Sequence, residues 1–329
     1  MKPPILNRIG NTPVIEFNGS VPNGNRIWLK LECDNPFGSH YDRVYRMLFD
    51  RFEKKGLLKP GATVLETTSG TAGVSFAAIG RELGYKCLVA IPEGGEHARE
   101  EAIKREGAEL IFTPAKDYVN GFPRFVKRYL VQHREIVFLN HSMASGGTEN
   151  EVTTSALAEI AVELKQQLDP IDCFIAAVGN GSSILGPGRV LKDKSRIITF
   201  ETFQSAVAYD LLYPGRYEEA YGIKPGSLPR HRLPGTSFRG IDFPHIRLAF
   251  QNEHLVSETM LVSDRVMDEQ YRDVTGKQMT VSLPHWDAVE APYGRTTRAG
   301  IAVALEAAKN VSGQNFAVLA YDKPDRYDN

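Results

Sequence analysis

Residues 63–73 read TVLETTSGTAG, a short apolar run that leads at once into a turn of small hydroxyl residues and glycine. The run from Thr63 to Glu66 is typical of a buried strand, and helical period begins at Ala72. A strand that leads directly into a helix is the unit from which parallel sheets are built. The backbone N–H groups and hydroxyls of such a turn can bind a carboxylate or a phosphate.

The rest of the chain repeats this alternation of strand and helix. The predicted strands are Trp28 to Glu32, Thr63 to Glu66, Cys87 to Ile91, Leu110 to Thr113, Ile136 to Asn140, Cys173 to Val178, Ile197 to Glu201 and Phe316 to Ala320. The predicted helices are Arg43 to Lys55, Ala72 to Leu83, His97 to Glu106, Glu151 to Gln167 and Thr297 to Asn310. The pattern predicts an α/β fold with parallel sheets covered by helices. Residues 209–244 show no sustained period, which indicates a functional flap or surface decoration.

A second strand-to-helix turn, VGNGSSILG at residues 178–186, follows another apolar run. Ile184 stands where the dinucleotide fingerprint G-x-G-x-x-G has its third glycine, so the turn does not predict an NAD site. Open α/β sheets bind ligands at the carboxyl ends of their strands, which is where both turns lie. We interpret both turns as anion sites; the alternative is that Ser, Thr and Gly there are simple helix caps.

The charge of the chain indicates no polyanionic partner. Its 329 residues include 39 Lys and Arg against 40 Asp and Glu, a net charge of -1, so we expect neither nucleic acid nor membrane binding. Cys33, Cys87 and Cys173 have no metal-ligand spacing, so we expect buried free thiols and no metal. Because neither a signal peptide nor a long apolar span is evident, we expect a cytoplasmic protein.

A series of short motifs runs nearly the whole length of the chain. In order they are IGNTPV at 9–14, LKLE at 29–32, NPFGS at 35–39, TSGTAG at 68–73, PE at 92–93, GAEL at 107–110, NH at 140–141 and GNGSSILG at 179–186. Their order resembles that of the fold type II (β family) pyridoxal-phosphate enzymes, and most closely cysteine synthase and cystathionine β-synthase-like proteins. The resemblance implies a two-lobed architecture similar to tryptophan synthase β, in which each lobe is an open, mostly parallel sheet flanked by helices.

The resemblance also implies roles for the two turns. It implies that Thr68, Ser69, Gly70 and Thr71 bind a substrate carboxylate. It implies that Gly179, Asn180, Gly181, Ser182 and Ser183 bind a cofactor phosphate. A smaller, mobile lobe at 36–147 would carry the first turn, and a larger lobe of 1–35 and 148–329 would carry the second. A homodimer is implied as well.

The departures from the family pattern fall on the chemistry. In GSHYDR at 38–43, Tyr41 stands where the family has the lysine that forms a Schiff base with the cofactor. Thr71 replaces an asparagine beside the cofactor's phenolic oxygen, and His141 replaces a glutamine. Arg298 takes the place of the serine at the pyridine nitrogen, unless the register differs by one residue and Thr297 does so.

These replacements limit the chemistry that the site can perform. Tyr41 cannot form a Schiff base, and with an ordinary pKa of about 10 it is a poor base unless a cation such as Arg43 lowers that pKa. Adjacent side chains of an extended segment point to opposite faces, so we place Tyr41 at the site and His40 behind it. A pyridine nitrogen that faced Arg298 would stay unprotonated, because a guanidinium only donates. The structural alternatives are a packing tyrosine at Tyr41, a backbone-bonded histidine at His141, a helix cap at Thr71 and a surface arginine at Arg298.

Three functional hypotheses remain open. The first is a cysteine-synthase-like protein that binds a small amino-acid-like or phosphate-bearing ligand. It would be a lyase or transferase of amino-acid metabolism without lysine-linked pyridoxal-phosphate chemistry, in which Tyr41 and His141 move protons. The second is a catalytically inactive homologue, a pseudoenzyme, that binds pyridoxal phosphate or an amino acid and regulates or completes a partner enzyme. The third is an enzyme that attaches pyridoxal phosphate to another lysine, for which Lys30 is the nearest in sequence.

Overall fold

A computed structural model describes residues 3–142, 150–228, 232, 233, 236, 243–265, 271 and 283–328. Within these residues the strands are β1 (Val14–Glu16), β2 (Arg26–Lys30), β3 (Thr63–Thr67), β4 (Lys86–Pro92), β5 (Glu109–Thr113), β6 (Val137–Phe138), β7 (Cys173–Ala177), β8 (Arg196–Thr202), β9 (Glu258–Val262) and β10 (Asn315–Leu319). The α-helices are α1 (Tyr41–Lys54), α2 (Thr71–Glu82), α3 (His97–Arg105), α4 (Phe122–Gln132), α5 (Asn150–Gln167), α6 (Ser182–Leu191), α7 (Val207–Leu212), α8 (Arg216–Tyr221), α9 (Pro244–Gln251) and α10 (Arg295–Ala307). Short 3₁₀ helices lie at Pro4–Arg8, Pro22–Gly24, Glu32–Asp34, Ala115–Gly121, Trp286–Ala288, Ala308–Asn310 and Pro324–Arg326.

The chain forms two compact units. Unit 1 comprises Met1–Thr12, Glu32–Glu159 and Tyr321–Asn329, and unit 2 comprises Pro13–Leu31 and Ile160–Ala320. The expected lobes, 36–147 and the remainder, stay a prediction; both chain ends group with unit 1. The carboxylate of Asp328, for example, accepts the N–H groups of His97 and Ala98 in α3. The expected boundary at residues 145–147 lies outside the described residues.

The sheet of unit 1 has the strand order β5-β4-β3-β6, with every pairing parallel. Val64 of β3 and Val89 of β4 are fully buried, as the sequence pattern predicts. Helix α2 approaches the sheet closely at Gly80, which has no side chain. A Cβ at this position would collide with Sγ of Cys87 on β4.

The sheet of unit 2 has the strand order β1-β2-β10-β7-β8-β9. Strand β1 pairs antiparallel with β2, and the other pairings are parallel. Every predicted strand and helix is present, with ends shifted by a few residues, and the α/β fold with parallel sheets flanked by helices is confirmed. The prediction of an irregular stretch at 209–244 was wrong in its first part, where α8 lies; residues 229–231, 234, 235 and 237–242 are outside the described part.

Cys33, Cys87 and Cys173 are buried free thiols, as expected. Among the described residues, none of the helices combines the length and the apolar character needed to cross a membrane.

A fully buried ion pair connects the 3₁₀ helix Glu32–Asp34 to α1. Arg43 donates from Nε and Nη2 to Oε2 and Oε1 of Glu32 at 2.8 and 2.9 Å, and neither side chain is exposed. Thr12 Oγ1 donates to Oε1 at 2.7 Å, and Asn35 Nδ2 donates to Oε2 at 3.0 Å. These hydrogen bonds offset the cost of removing both charges from water.

Replacing Arg43 with Met leaves the Glu32 carboxylate buried without its cation. We expect Arg43→Met to lower the free energy of unfolding by about 3–5 kcal/mol, measured by urea unfolding. The control is Arg81→Met, which breaks the more exposed ion pairs of Arg81 with Glu82 and Glu106 in the same unit and should have a much smaller effect. Equal, small effects of both variants would contradict a stabilising role for the buried pair.

Candidate functional site

The first predicted anion turn lies where β3 ends and α2 begins. Thr68 Oγ1 accepts the N–H of Gly70 at 2.9 Å, and Thr71 Oγ1 donates to Asp322 Oδ2 at 2.8 Å. Thr68 is buried, whereas Ser69 and Thr71 are partly exposed. The start of α2 has no side-chain cap, and a carboxylate of the chain itself already accepts the hydroxyl hydrogen of Thr71.

A buried arginine from α3 lies behind this turn. Arg99 donates from Nε to the carbonyl of Arg326 at 3.0 Å and from Nη1 to the carbonyl of Ser69 at 3.4 Å. A Cβ at Gly70 would lie 2.4 Å from Nη1 of Arg99, so a larger residue would displace the guanidinium. Sequence reasoning missed Arg99, because nothing in the helical pattern around it indicates a contact with the turn.

His40 and Tyr41 lie together instead of on opposite faces. Helix α1 begins at Tyr41, and His40 itself has helical angles, φ -60 and ψ -20. Their ring centroids are 4.1 Å apart. The expectation that His40 would point away was wrong, because the segment is a helix start and not extended backbone. Burial lowers the pKa of His40 to about 4, so its imidazole is neutral at neutral pH.

The phenol of Tyr41 is a proton donor and not a base at neutral pH. The pKa of Tyr41 is raised to about 12, chiefly by burial; Arg99 lowers it, and Asp322 and Glu66 raise it. Arg43 does not lower this pKa as the sequence suggested, because Glu32 binds its guanidinium.

His141, the second predicted proton carrier, is buried beside Glu66. Its Nδ1 lies 3.2 Å from Glu66 Oε2. Its ring centroid is 5.4 Å from that of Tyr41, and the two rings are nearly perpendicular. The structure thus brings Tyr41 and His141 together, while their catalytic roles stay predictions.

The second predicted anion turn links β7 to α6 in unit 2. Gly181 precedes the helix with φ 89, and a Cβ there would lie 2.6 Å from Ile246, so both the backbone and the space require glycine. Asn180 Oδ1 accepts the backbone N–H of Ser182 at 3.0 Å and its hydroxyl at 2.6 Å. The Asn180 carbonyl lies 2.6 Å from Nε2 of His245. Some donors of the turn are therefore already satisfied by Asn180.

Arg298 lies in the first turns of α10 and binds the segment that precedes this helix. It donates from Nε to the carbonyl of Val289 at 2.8 Å and from Nη2 to the carbonyl of Asp287 at 3.1 Å. Thr297, the alternative candidate, is fully buried. These contacts assign part of the Arg298 guanidinium to backbone carbonyls, and its role at a pyridine nitrogen stays a prediction.

Lys30, the alternative attachment lysine, is fully buried on β2. Its Nζ donates to Glu163 Oε2 at 2.6 Å and to Gln167 Oε1 at 2.9 Å. An ammonium paired with a carboxylate holds its proton, whereas attack on an aldehyde requires a neutral amine. The contacts of Lys30 therefore argue against this residue as the point of attachment.

The residues fit one part of pyridoxal phosphate and not another. Gly179 and Ser183 are partly exposed around Gly181 at the start of α6, an arrangement that fits a phosphate. Tyr41 carries a phenol, which cannot form a Schiff base, and Lys30 is paired with Glu163, so neither residue offers a covalent link to an aldehyde. Across the described residues, no group of three or more His, Cys, Asp or Glu side chains could hold a metal ion.

Known proteins resemble this chain over most of its length. A probable cysteine synthase of Bacillus subtilis (strain 168) is 28% identical over 322 residues, 97% of this chain and 94% of the relative. A cysteine synthase of Staphylococcus aureus is 34% identical over 187 residues, 56% of this chain, and the match spans 58% of the relative.

Solved structures share the fold. A hydrogen sulfide-producing enzyme of Fusobacterium nucleatum superposes with a TM-score of 0.78 at 23% identity, covering 99% of this chain and 100% of the other. A lysine-to-alanine mutant of O-ureido-L-serine synthase with bound O-ureido-L-serine superposes with a TM-score of 0.76 at 20% identity, covering 98% and 91%.

One family model covers most of the chain, including both turns, Tyr41 and His141. It matches residues 5–265 and is described as pyridoxal-phosphate dependent enzyme. The chain therefore belongs to the family of pyridoxal-phosphate dependent enzymes, in its cysteine synthase-like, fold type II form.

Proposed function

We propose that the protein binds pyridoxal phosphate without a lysine link and binds a small amino acid through the turn at Thr68–Thr71. The observation that carries the proposal is the phenol of Tyr41. It stands at the start of α1 in the position where the resemblance places the attachment lysine, and burial keeps it protonated at neutral pH. A protonated phenol donates a hydrogen bond but cannot bond covalently to an aldehyde.

The relatives support the ligand class. The named relatives are a probable cysteine synthase and a cysteine synthase, which supports a role in amino-acid metabolism; a lyase or transferase activity is part of the proposal. The O-ureido-L-serine synthase structure contains an amino-acid ligand although one lysine is replaced by alanine. That observation supports retention of an amino acid by this fold when a lysine is missing.

Each residue has a limited task in this proposal. Pyridoxal phosphate supplies an electron-withdrawing ring when it is bound. Ser69 and the backbone N–H groups of the first turn orient the ligand carboxylate, since Asp322 already binds the hydroxyl of Thr71. Tyr41 donates a hydrogen bond, and His141 accepts and returns a proton.

A catalytically inactive homologue that regulates or completes a partner enzyme is the second candidate. The raised pKa of Tyr41 favours it, because a phenol that stays protonated cannot replace the basic amine of a lysine. Incubation of the protein and pyridoxal phosphate with candidate amino acids separates the two candidates. Consumption of an amino acid supports the enzyme, and binding without consumption supports the regulator. A cytoplasmic location and a homodimer are further parts of the proposal and rest on the sequence and the resemblance.

The proposed binding of phosphate by the turn at residues 178–186 can be tested by replacing Gly181 with alanine. Gly181→Ala places a Cβ against Ile246 and forces alanine into a left-handed conformation. We expect the affinity for pyridoxal phosphate, measured by equilibrium dialysis, to fall about tenfold or more, because relief of this strain moves the backbone N–H groups of the turn away from the phosphate.

Gly215→Ala is the matched control for this variant. Gly215 also precedes a helix of unit 2 with positive φ, 77, and nothing lies within 4 Å of its added Cβ. This variant should bind pyridoxal phosphate as the wild type does. Pyridoxal, which lacks the phosphate, should bind the wild type weakly; equal binding of both compounds would contradict a phosphate site at the turn.

The position of Tyr41 can be tested by restoring a lysine. We expect Tyr41→Lys to form a borohydride-reducible adduct with pyridoxal phosphate at residue 41, located by peptide mass mapping. Tyr41→Phe is the control and should bind the compound without an adduct. If Tyr41→Lys binds pyridoxal phosphate but gives no adduct at 41, then Tyr41 does not stand in the place of the attachment lysine.

A further inference from the structure

Glu66 and His141 form a carboxylate–imidazole pair in unit 1. Glu66 lies near the carboxyl end of β3 and is fully buried. Its Oε2 accepts the backbone N–H of His141 at 3.0 Å and lies 3.2 Å from Nδ1 of the same residue. Its Oε1 accepts the N–H of Thr67 at 2.8 Å. Oε2 thus accepts the backbone N–H of His141, whereas Nδ1 lies close to it without forming a hydrogen bond within the described residues.

Two tyrosine rings lie beside the imidazole of His141. The Tyr41 ring lies 5.4 Å away and nearly perpendicular, and the Tyr45 ring lies 5.5 Å away at an angle of 51°. Thr153 Oγ1 donates to the carbonyl of His141 at 3.2 Å, which fixes the backbone. Only 4% of His141 is exposed. Nδ1 thus lies 3.2 Å from a carboxylate whose charge acts on it.

A carboxylate beside Nδ1 selects one form of a neutral imidazole. It favours the tautomer that carries its hydrogen on Nδ1, and this leaves the lone pair on Nε2. When Nε2 takes a proton, the charge of the imidazolium is balanced by the carboxylate. The burial of Glu66 strengthens this interaction, because little water screens it.

We propose that Glu66 is a positioning residue that holds His141 in the Nδ1–H tautomer, so that Nε2 carries out the proton transfer for which the family uses an amine. The catalytic part rests on the proposed function: Nε2 takes one proton from the bound amino acid and returns one to the product. The alternative is that Glu66 has a structural role only, in which it accepts the backbone N–H groups of Thr67 and His141.

The tautomer is measured directly by NMR of protein labelled with ¹⁵N-histidine. The chain has eight histidines, and the signal that is lost in His141→Gln identifies residue 141. We expect the wild type to carry its hydrogen on Nδ1. A predominant Nε2–H tautomer in the wild type would overturn the proposal without any further variant.

Glu66→Gln separates positioning from anchoring. An amide can donate to Nδ1 as well as accept from it, so we expect a mixture of both tautomers. The matched control is Glu201→Gln in unit 2, because Glu201 is equally buried and its two oxygens accept the N–H groups of Val207 and Tyr209. The control should leave His141 unchanged. An unchanged tautomer in Glu66→Gln would overturn the proposal.

The catalytic part has its own measurement. If an amino acid is consumed, Glu66→Gln should lower the rate about 10–100-fold, and it should have no further effect in the His141→Gln background. An equal loss of rate in the wild-type and His141→Gln backgrounds would show that Glu66 has a structural role only and would overturn the proposal. If no amino acid is consumed, the proposed enzyme function fails, and the NMR result still decides whether Glu66 positions His141.

Discussion

Burial of the Glu32–Arg43 pair is the constraint on which the geometry of unit 1 depends. The two charges are acceptable without water only because they bind each other and the side chains of Thr12 and Asn35. Arg43 lies in the first turn of α1, so the pair fixes where that helix begins. The start of α1 in turn determines where the ring of Tyr41 lies.

The same pairing explains the chemical character of the site. Because Arg43 is neutralised by Glu32, it cannot promote ionisation of Tyr41, and burial dominates the pKa of Tyr41. Both glycine-rich turns have satisfied part of their hydrogen-bonding capacity with groups of the chain, Asp322 in unit 1 and Asn180 in unit 2. The structure has the fold of the family, and the change in the groups that would perform its chemistry stays part of the proposal.

Local patterns in the sequence predicted most of the fold, because runs of buried β-branched residues and helical periods are local properties. The three-residue β1 was missed because its residues are partly or fully exposed, and α6 was not delimited because it contains Pro187. The site was less predictable. Contacts such as Thr71 with Asp322 join residues 251 positions apart, and no local pattern encodes them. The prediction that His40 and Tyr41 lie on opposite faces was wrong for a local reason. The helix begins two residues earlier than predicted, and this changes which side chains are neighbours.

The most direct test of the central claim is borohydride reduction of the wild-type protein after saturation with pyridoxal phosphate, followed by mass analysis of the intact chain and its peptides. We predict saturable binding and an unmodified mass, because Tyr41 cannot form a reducible bond and Lys30 is held by Glu163. A stoichiometric adduct on any lysine would contradict a site that binds pyridoxal phosphate without a lysine link.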